Sequence, residues 1–330
     1  MKTPALLLLV LFPAALLAGS VWVAPSELVC ALFTPERAAE TARFVVWEAR
    51  LPQALTAALS GMALAVAGLV MQSLFANPLA DPSLLGVSSG ASFGAAVAML
   101  CGGAGALAAG ATGWGGVLFT VSAAFFGALG VIALLLFCST LLRGNLALLV
   151  AGVMIGFALS AGISLLGFFA TENGLHSYLL WGMGDFSGVG MGLLPLYAAL
   201  LLVPVAVLLL RPHVLDALLL GNDYAANLGV RVRRERTLLL LLTGLLTAVV
   251  TALCGPISFV GLAVPHIARL FTRTASHRRL LPATCLWGAD VALVALMLTH
   301  LPCVGTVLPL SAVTPLLGVP LVFYILVKRR

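Results

Sequence analysis

Long apolar runs without any alternation in polarity dominate this chain, and most basic residues stand between the runs. About 20 apolar residues are needed for a helix to cross the hydrocarbon layer of a bilayer. Because the runs do not alternate between apolar and polar residues, they predict helices rather than the strands of a barrel. Ten segments can be cut from the sequence, some of them short or broken: 5–24, 51–75, 89–109, 114–138, 145–169, 193–210, 237–254, 258–272, 280–301 and 311–327.

Composition excludes a water-soluble fold. Of the 330 residues, 62% are hydrophobic and only 8% are charged, and the mean hydropathy is +1.17. A soluble domain carries about 25% charged residues. This chain therefore has too few charged residues to form the polar surface of a soluble protein. We therefore predict an all-α polytopic membrane protein with about ten transmembrane helices in a single domain over residues 1–330.

Basic residues sort to one side of this predicted topology. With the N-terminus inside and ten spans, fourteen of the 17 Lys and Arg residues fall on the inner side, leaving Arg37, Arg43 and Arg50 outside. Such a bias marks the cytoplasmic face. We therefore predict cytoplasmic termini and interpret the net charge of +6 as a sign of topology, not of nucleic-acid binding. The first run is either a span or a secretory signal peptide, and its length favours an uncleaved span.

Two predicted loops are long, an outer loop at 25–50 and an inner loop at 211–236. In the inner loop, Pro212 suits the start of a helix and Gly221 its end, and Gly229 would close a second short helix. The first of these helices has an apolar stripe of Val214, Leu215, Leu218 and Leu219. That stripe either packs on the membrane surface or docks a cytosolic partner, and composition does not decide between the two.

Small and turn-forming residues mark the second span and its end. Gly61 and Gly68 allow close helix packing. The stretch from Asn77 to Pro82 stops the helix, because it contains two prolines and two turn-forming side chains. A broken hairpin at a membrane boundary either lines a cavity or gate or is a plain tight turn. Asp290 is the one acid clearly inside a span, and it is either a functional carboxylate or one paired with a neighbour or water.

At this point the sequence resembles the FecCD-type permeases, the transmembrane subunits of ABC importers for iron–siderophores, haem and vitamin B12. The resemblance spans about residues 50–325 and rests on several stretches read together. They are Arg50-Leu51-Pro52, Asn77-Pro78-Leu79-Ala80-Asp81-Pro82, Leu84-Leu85-Gly86-Val87-Ser88, Trp181-Gly182, Leu220-Gly221, Leu228-Gly229-Val230, Gly255-Pro256-Ile257, Val264-Pro265-His266 and Leu317-Gly318-Val319-Pro320. Where such permeases commonly carry a second outer arginine, this chain has Gln53.

The resemblance implies a multi-pass permease of the cytoplasmic (inner) membrane that works by ATP-driven alternating access. Its implied partners are a second copy of the chain, two cytosolic ATPase subunits and a periplasmic or lipid-anchored substrate-binding protein. No P-loop motif occurs in the sequence, so ATP and magnesium would be bound by the separate ATPase, and this chain would carry no cofactor, metal or catalytic residue. The cargo would be an iron–siderophore or haem, with vitamin B12 next.

The resemblance also suggests roles for particular residues. Those expected to couple the permease to the ATPase are Leu215, Asp216, Leu218, Leu219, Gly221, Ala225, Leu228 and Gly229. Those expected to dock the binding protein are Arg50 and Arg43. Those expected to line the path or gate are Met71, Gln72, Asn77, Pro78, Leu85, Arg143, Gly144 and Asn145; for Met71 and Gln72, core packing is an equal alternative. The rival function is an ion-coupled secondary transporter, which would need several ionisable residues near the midplane.

Overall fold

The structure is a computed structural model that describes residues 2–19, 21, 23–34, 36, 38–101, 114–142, 144–300 and 307–328. The α-helices in these ranges are α1 Lys2–Leu17, α2 Pro25–Phe33, α3 Glu40–Phe44, α4 Leu51–Leu74, α5 Val87–Ala96, α6 Trp114–Leu141, α7 Asn145–Phe168, α8 Glu172–Gly182, α9 Leu194–Leu209, α10 Pro212–Leu219, α11 Asn222–Asn227, α12 Val232–Cys254, α13 Val260–Thr272, α14 His277–Thr299 and α15 Leu310–Lys328. A π-helical stretch at Val45–Arg50 joins α3 to α4, another at Val97–Cys101 extends α5, and a short 3₁₀ helix lies at Pro82–Leu85.

Each of the ten predicted spans contains a helix of this bundle. Five helices are long and apolar enough to cross a membrane alone, namely α6, α7, α12, α14 and α4 with its α3 extension. The pair α9 and α10, bent by 61°, gives a sixth candidate, and α1, α5, α13 and α15 are shorter apolar helices. The all-helical fold class with about ten spans is therefore confirmed. The eighth segment is one of the short ones, because α13 has only 13 residues.

The bundle is built around α4, which packs against α9, α12, α13 and α14. Glycines make these contacts possible. A Cβ on Gly68 would lie 1.9 Å from the carbonyl oxygen of Gly261, and a Cβ on Gly61 would lie 2.2 Å from that of Gly288. No larger residue fits at such a distance without moving a backbone, so the predicted role of these glycines is confirmed.

Two boundaries differ from the sequence prediction. Helix α1 ends at Leu17 and not near residue 24. The Arg50 side chain donates hydrogen bonds to the carbonyl groups of Leu16 and Leu17 at this helix end, as described below. The outer loop predicted at 25–50 is largely helical, and its second half runs on into α4 as one helix of 35 residues. Pro52 is the second residue of α4, and the preceding π-helical turn accommodates it, with the Leu51 amide bonded to the carbonyl of Val46.

Contacts between distant loops lie at the two ends of the bundle. At the outer end, the Asp185 amide donates to the Cys254 carbonyl over 2.9 Å, and the Ser311 amide donates to the Met183 carbonyl over 2.9 Å. At the inner end lie the loop that contains α10 and α11, the turn after α4 and the start of α14. The candidate functional residues concentrate at this inner end.

Candidate functional site

The loop after α9 forms a short helical hairpin whose ends are set by two glycines. Gly221 follows α10 with φ = +108°, and Gly229 follows α11 with φ = +84°. These left-handed conformations favour glycine because a Cβ would clash with the backbone. The helix ends predicted from the sequence at these two positions are therefore confirmed. Helix α12 begins at Val232, four residues before the predicted end of the loop.

One face of this hairpin is buried and the other is exposed and apolar. On the buried face, Leu215, Leu218 and Ala225 pack into the core of the bundle. We call the opposite face the exposed apolar patch; it consists of Leu219, Leu220, Tyr224 and Leu228, which are 41%, 65%, 52% and 59% exposed. Four large apolar side chains on so short a loop indicate a surface that another molecule covers, since single exposed apolar residues are common but such a group is not.

A chain of hydrogen bonds fixes the hairpin to the bundle, and we call it the Asp216–His277–Ser73 bridge. Asp216 Oδ1 accepts from the backbone amide of His277 over 2.9 Å and from its Nδ1 over 2.6 Å. On the other side of the ring, His277 Nε2 lies 2.6 Å from Ser73 Oγ, a hydrogen-bonding distance. The bridge therefore connects α10 with the first residue of α14 and with the inner end of α4. An acceptor at that amide also satisfies one of the free donors of the α14 N-terminus.

A second group of polar contacts ties α13 to the end of α4. Gln72 Nε2 donates to the Leu262 carbonyl over 3.3 Å, and Gln72 Oε1 accepts from Arg269 Nη1 over 2.6 Å. His266 Nε2 lies 3.0 Å from the carbonyl oxygen of Pro78, to which it can donate. The inner ends of α4, α10, α13 and α14 are thus joined by polar contacts.

Nearby, the carboxylate of Asp81 begins the 3₁₀ helix. Its Oδ1 accepts from the Ser83 amide over 2.8 Å and from Ser83 Oγ over 2.6 Å. Burial raises the pKa of Asp81 above its ordinary value, while the bonds from Ser83 act in the opposite direction. A Cβ on Gly261 would come within 2.8 Å of Asp81 Oδ2, so α13 packs closely against this carboxyl group.

Among the described residues, those predicted to line the path do not meet around one cavity. Met71 and Leu85 are buried and line a cavity of only about 10 Å³. Asn77 Oδ1 accepts from the Leu79 amide over 2.9 Å in the turn after α4, and Pro78 is exposed there. Gly144 is exposed with φ = +95° beside α7, which Asn145 begins, and Arg143 lies outside the described residues. Their roles in transport stay predictions.

The two arginines predicted to dock a binding protein have different surroundings. Arg50 is 6% exposed, and its guanidinium donates to the carbonyl groups of Leu16, Leu17 and Val21. This burial argues against Arg50 as an exposed docking residue, because its guanidinium group is used to bond the carbonyl groups at the end of α1. Arg43 is exposed on α3 and keeps its predicted docking role as a prediction.

Sequence reasoning missed the partner of Asp216 and the position of Arg50. His277 lies 61 residues after Asp216 and 204 residues after Ser73. No short-range pattern in the sequence therefore predicts the bridge. One signal was present, because Asp216 lies between the apolar residues Leu215 and Ala217, both of which are buried. An acid so close to a buried face needs a partner.

Comparisons with known proteins agree with this architecture. Residues 7–328 match the model of the FecCD transport family. The chain is 38% identical over 317 residues to the vitamin B12 import system permease protein BtuC of Yersinia enterocolitica, covering 96% of this chain and 89% of that protein. It is also 38% identical over 325 residues to the protein of the same name from Klebsiella pneumoniae, covering 98% and 92%.

Two solved structures resemble the bundle. One, described as a metal-chelate type ABC transporter in an inward-facing conformation, superposes with a TM-score of 0.84 at 29% identity and covers 99% of this chain and 98% of its own. The other is PsaBC from Streptococcus pneumoniae in complex with Fab, with a TM-score of 0.55 at 14% identity, covering 92% and 95%. The second likeness concerns the fold alone.

Proposed function

The chain belongs to the FecCD transport family, and from that premise we propose that it is the transmembrane subunit of an ABC importer for a metal chelate or vitamin B12. The observation that carries the proposal is the hairpin of α10 and α11. It is anchored on one face and exposes Leu219, Leu220, Tyr224 and Leu228 on the other. A cytosolic ATPase subunit would cover this patch and hydrolyse ATP with magnesium, while the permease itself binds no cofactor.

We further propose that two copies of the chain assemble in the cytoplasmic membrane. Within the described chain only 11% of the apolar core of α7 is buried, compared with 78% for the helix that contains α4. Lipid or a second copy must cover such a face. A binding protein would deliver the cargo to the outer ends of the helices, where Arg43 is exposed.

Transport would proceed by alternating access. Closure of the ATPase pair would push the hairpin, and the Asp216–His277–Ser73 bridge would pass the displacement to α14 and α4. The buried Leu215 and Leu218 would make the hairpin move as part of the bundle and not as a free loop. The energy would come from ATP, so no ion gradient is needed.

The cargo class follows from the relatives. The two relatives reported above carry the name of vitamin B12 permeases, and the solved structure with a TM-score of 0.84 is described as of the metal-chelate type. Vitamin B12, a cobalt corrinoid, is therefore the first candidate, with iron–siderophores and haem as the others. An ion-coupled secondary transporter is not favoured, because Asp290 stands almost alone as an acid inside the spans.

Uptake by proteoliposomes tests this proposal. The permease is reconstituted with its ATPase and binding protein, and uptake of labelled cobalamin, a ferric siderophore and haem is compared. We expect uptake of one of them to require ATP, to stop with vanadate and to survive an uncoupler. Uptake that an uncoupler abolishes while ATP is retained would favour the secondary transporter and reject the proposal.

The docking surface has a separate test with a matched control. We expect the double variant Leu220→Ser and Leu228→Ser to lose co-purification of the ATPase. The control Leu210→Ser changes another exposed leucine, 78% exposed at the end of α9, and should retain the ATPase. Equal retention by the double variant would exclude the exposed apolar patch as the docking surface.

A further inference from the structure

Asp290 lies near the middle of α14 and is 1% exposed. Within the part of the chain that the structure describes, neither of its carboxylate oxygens has a hydrogen-bond partner. A buried carboxylate without a partner is costly, because it loses the hydration that stabilises its charge. Intramembrane acids of this kind are candidates for binding sites for that reason.

The carboxylate lines a cavity of about 180 Å³. The cavity lies where α1, α13, α14 and α15 meet, and most of its walls are apolar, formed by residues such as Leu7, Val260, Ile267 and Leu317. Thr314 contributes a hydroxyl group, which already donates to the Leu310 carbonyl over 3.1 Å and so has only its lone pairs left to offer. Apart from the indole N–H of Trp287, the polar groups of the walls are therefore acceptors of hydrogen bonds, namely the Thr314 hydroxyl and the Asp290 carboxylate.

An aromatic ring completes the site. Trp287 lies one helical turn before Asp290, lines the same cavity, and packs against Phe271 with a ring-centroid distance of 4.6 Å and an angle of 31° between the rings. Its indole nitrogen also lacks a partner among the described residues. A cation that pairs with the carboxylate gains a further attraction where it approaches the face of a tryptophan ring.

The size and polarity of the cavity narrow the class of ligand. A metal ion such as calcium or magnesium requires six or more oxygen ligands, and these mostly apolar walls do not provide them. A cavity of about 150 Å³ with apolar walls holds a benzene molecule. We propose that the cavity beside Asp290 binds a protonated amine with an apolar body of about that size, whose ammonium group pairs with the Asp290 carboxylate.

Binding of benzylamine to the purified permease–ATPase complex in lipid nanodiscs tests this proposal. The measurement is saturable binding of radiolabelled benzylamine at a pH where the amine is protonated, after subtraction of binding to empty nanodiscs. We expect Asp290→Asn to weaken this binding by about tenfold or more, because a charge-assisted hydrogen bond is lost. Benzyl alcohol, which has no charge, should bind more weakly and should not respond to Asp290→Asn.

Two further variants keep the result interpretable if Asp290→Asn does not fold. Val294→Phe fills the cavity from its wall and leaves the carboxylate in place, and it should abolish binding of benzylamine. Glu172→Gln removes an exposed acid on α8, outside the cavity, and should bind as the wild type does. Absence of saturable binding to the wild type, or equal binding by Asp290→Asn or Val294→Phe, would overturn the proposal.

A chemical probe separates an amine from a simple proton as the occupant. A hydrophobic carbodiimide modifies protonated carboxyl groups inside membranes, and mass spectrometry locates the adduct. We expect benzylamine to protect Asp290 from this modification. Modification of Asp290 at the same rate with and without saturating benzylamine would assign the site to a proton and reject the amine.

Discussion

The Asp216–His277–Ser73 bridge gives the sharpest test of how the hairpin acts on the spans. Within the hairpin, the atom that bonds His277 is Asp216 Oδ1, which accepts two hydrogen bonds from that residue. Replacing Asp216 by Ala removes this acceptor. The exposed apolar patch remains unchanged in this variant. We therefore expect the ATPase to stay bound while transport falls, which would separate docking from transmission.

Because both bonds share one acceptor atom, Asp216 Oδ1, the size of the effect is that of the loss of one charged acceptor. A hydrogen bond to a charged group contributes about 1.5–3 kcal/mol. The Asp216 side chain is 41% exposed, so solvent screening places the loss at the lower end of that range. A loss of about 1.4 kcal/mol corresponds to a tenfold change in an equilibrium. We expect transport per ATP hydrolysed to fall by about tenfold in Asp216→Ala.

The assay compares ATP hydrolysis and cargo uptake in the same proteoliposomes. Asp216→Asn is the matched control, since its side-chain carbonyl still accepts from both nitrogen donors of His277, and it should lose less than about threefold. Ser73→Ala cuts the bridge at its other end and should resemble Asp216→Ala. Wild-type transport per ATP in Asp216→Ala would refute this mechanism, and loss of the ATPase from the complex would assign Asp216 to docking instead.

Three other predictions concern the rest of the chain. Arg43→Glu should slow the association of the binding protein by about three- to tenfold, and surface plasmon resonance at several salt concentrations should show that this effect depends on salt. Arg50→Gln should instead lower the thermal stability of the permease, because the carbonyl groups at the end of α1 lose their donor. Gly68→Ala should destabilise the protein in detergent by about 1–3 kcal/mol or prevent its accumulation, whereas Gly130→Ala, where no atom lies within 4 Å, should not. Because burial raises the pKa of Asp81, the folded protein binds a proton that the unfolded chain releases; stability should rise as the pH falls towards the ordinary pKa of aspartate, and Asp81→Asn should remove this rise in melting temperature.

The sequence predicted the features that depend on local pattern. Apolar length predicted the spans, and Gly221 and Gly229 marked helix ends because only a left-handed conformation fits there. The sequence did not predict where Arg50 points, because its partners belong to the end of a helix about 30 residues earlier. The positive charge of Arg50 at a predicted outer surface suggested that it docks a binding protein. In the structure, Arg50 instead bonds the carbonyl groups that α1 leaves free at its end. Such contacts depend on tertiary packing, which a single sequence does not reveal.

The packing of the bundle also limits where a cargo can pass. The interior around α4 is closed by backbone contacts at glycines, and the cavities beside Met71 and Asp290 hold only about 10 and 180 Å³. Sites for drug-sized ligands have about 300–1,000 Å³, so neither of these two cavities would hold a corrinoid or a siderophore complex. The face of α7 that carries the exposed Val150, Met154 and Phe157 offers the alternative. A path between two copies would use this face. The packed core of each copy would then move as a rigid body during transport, and no channel would open inside it.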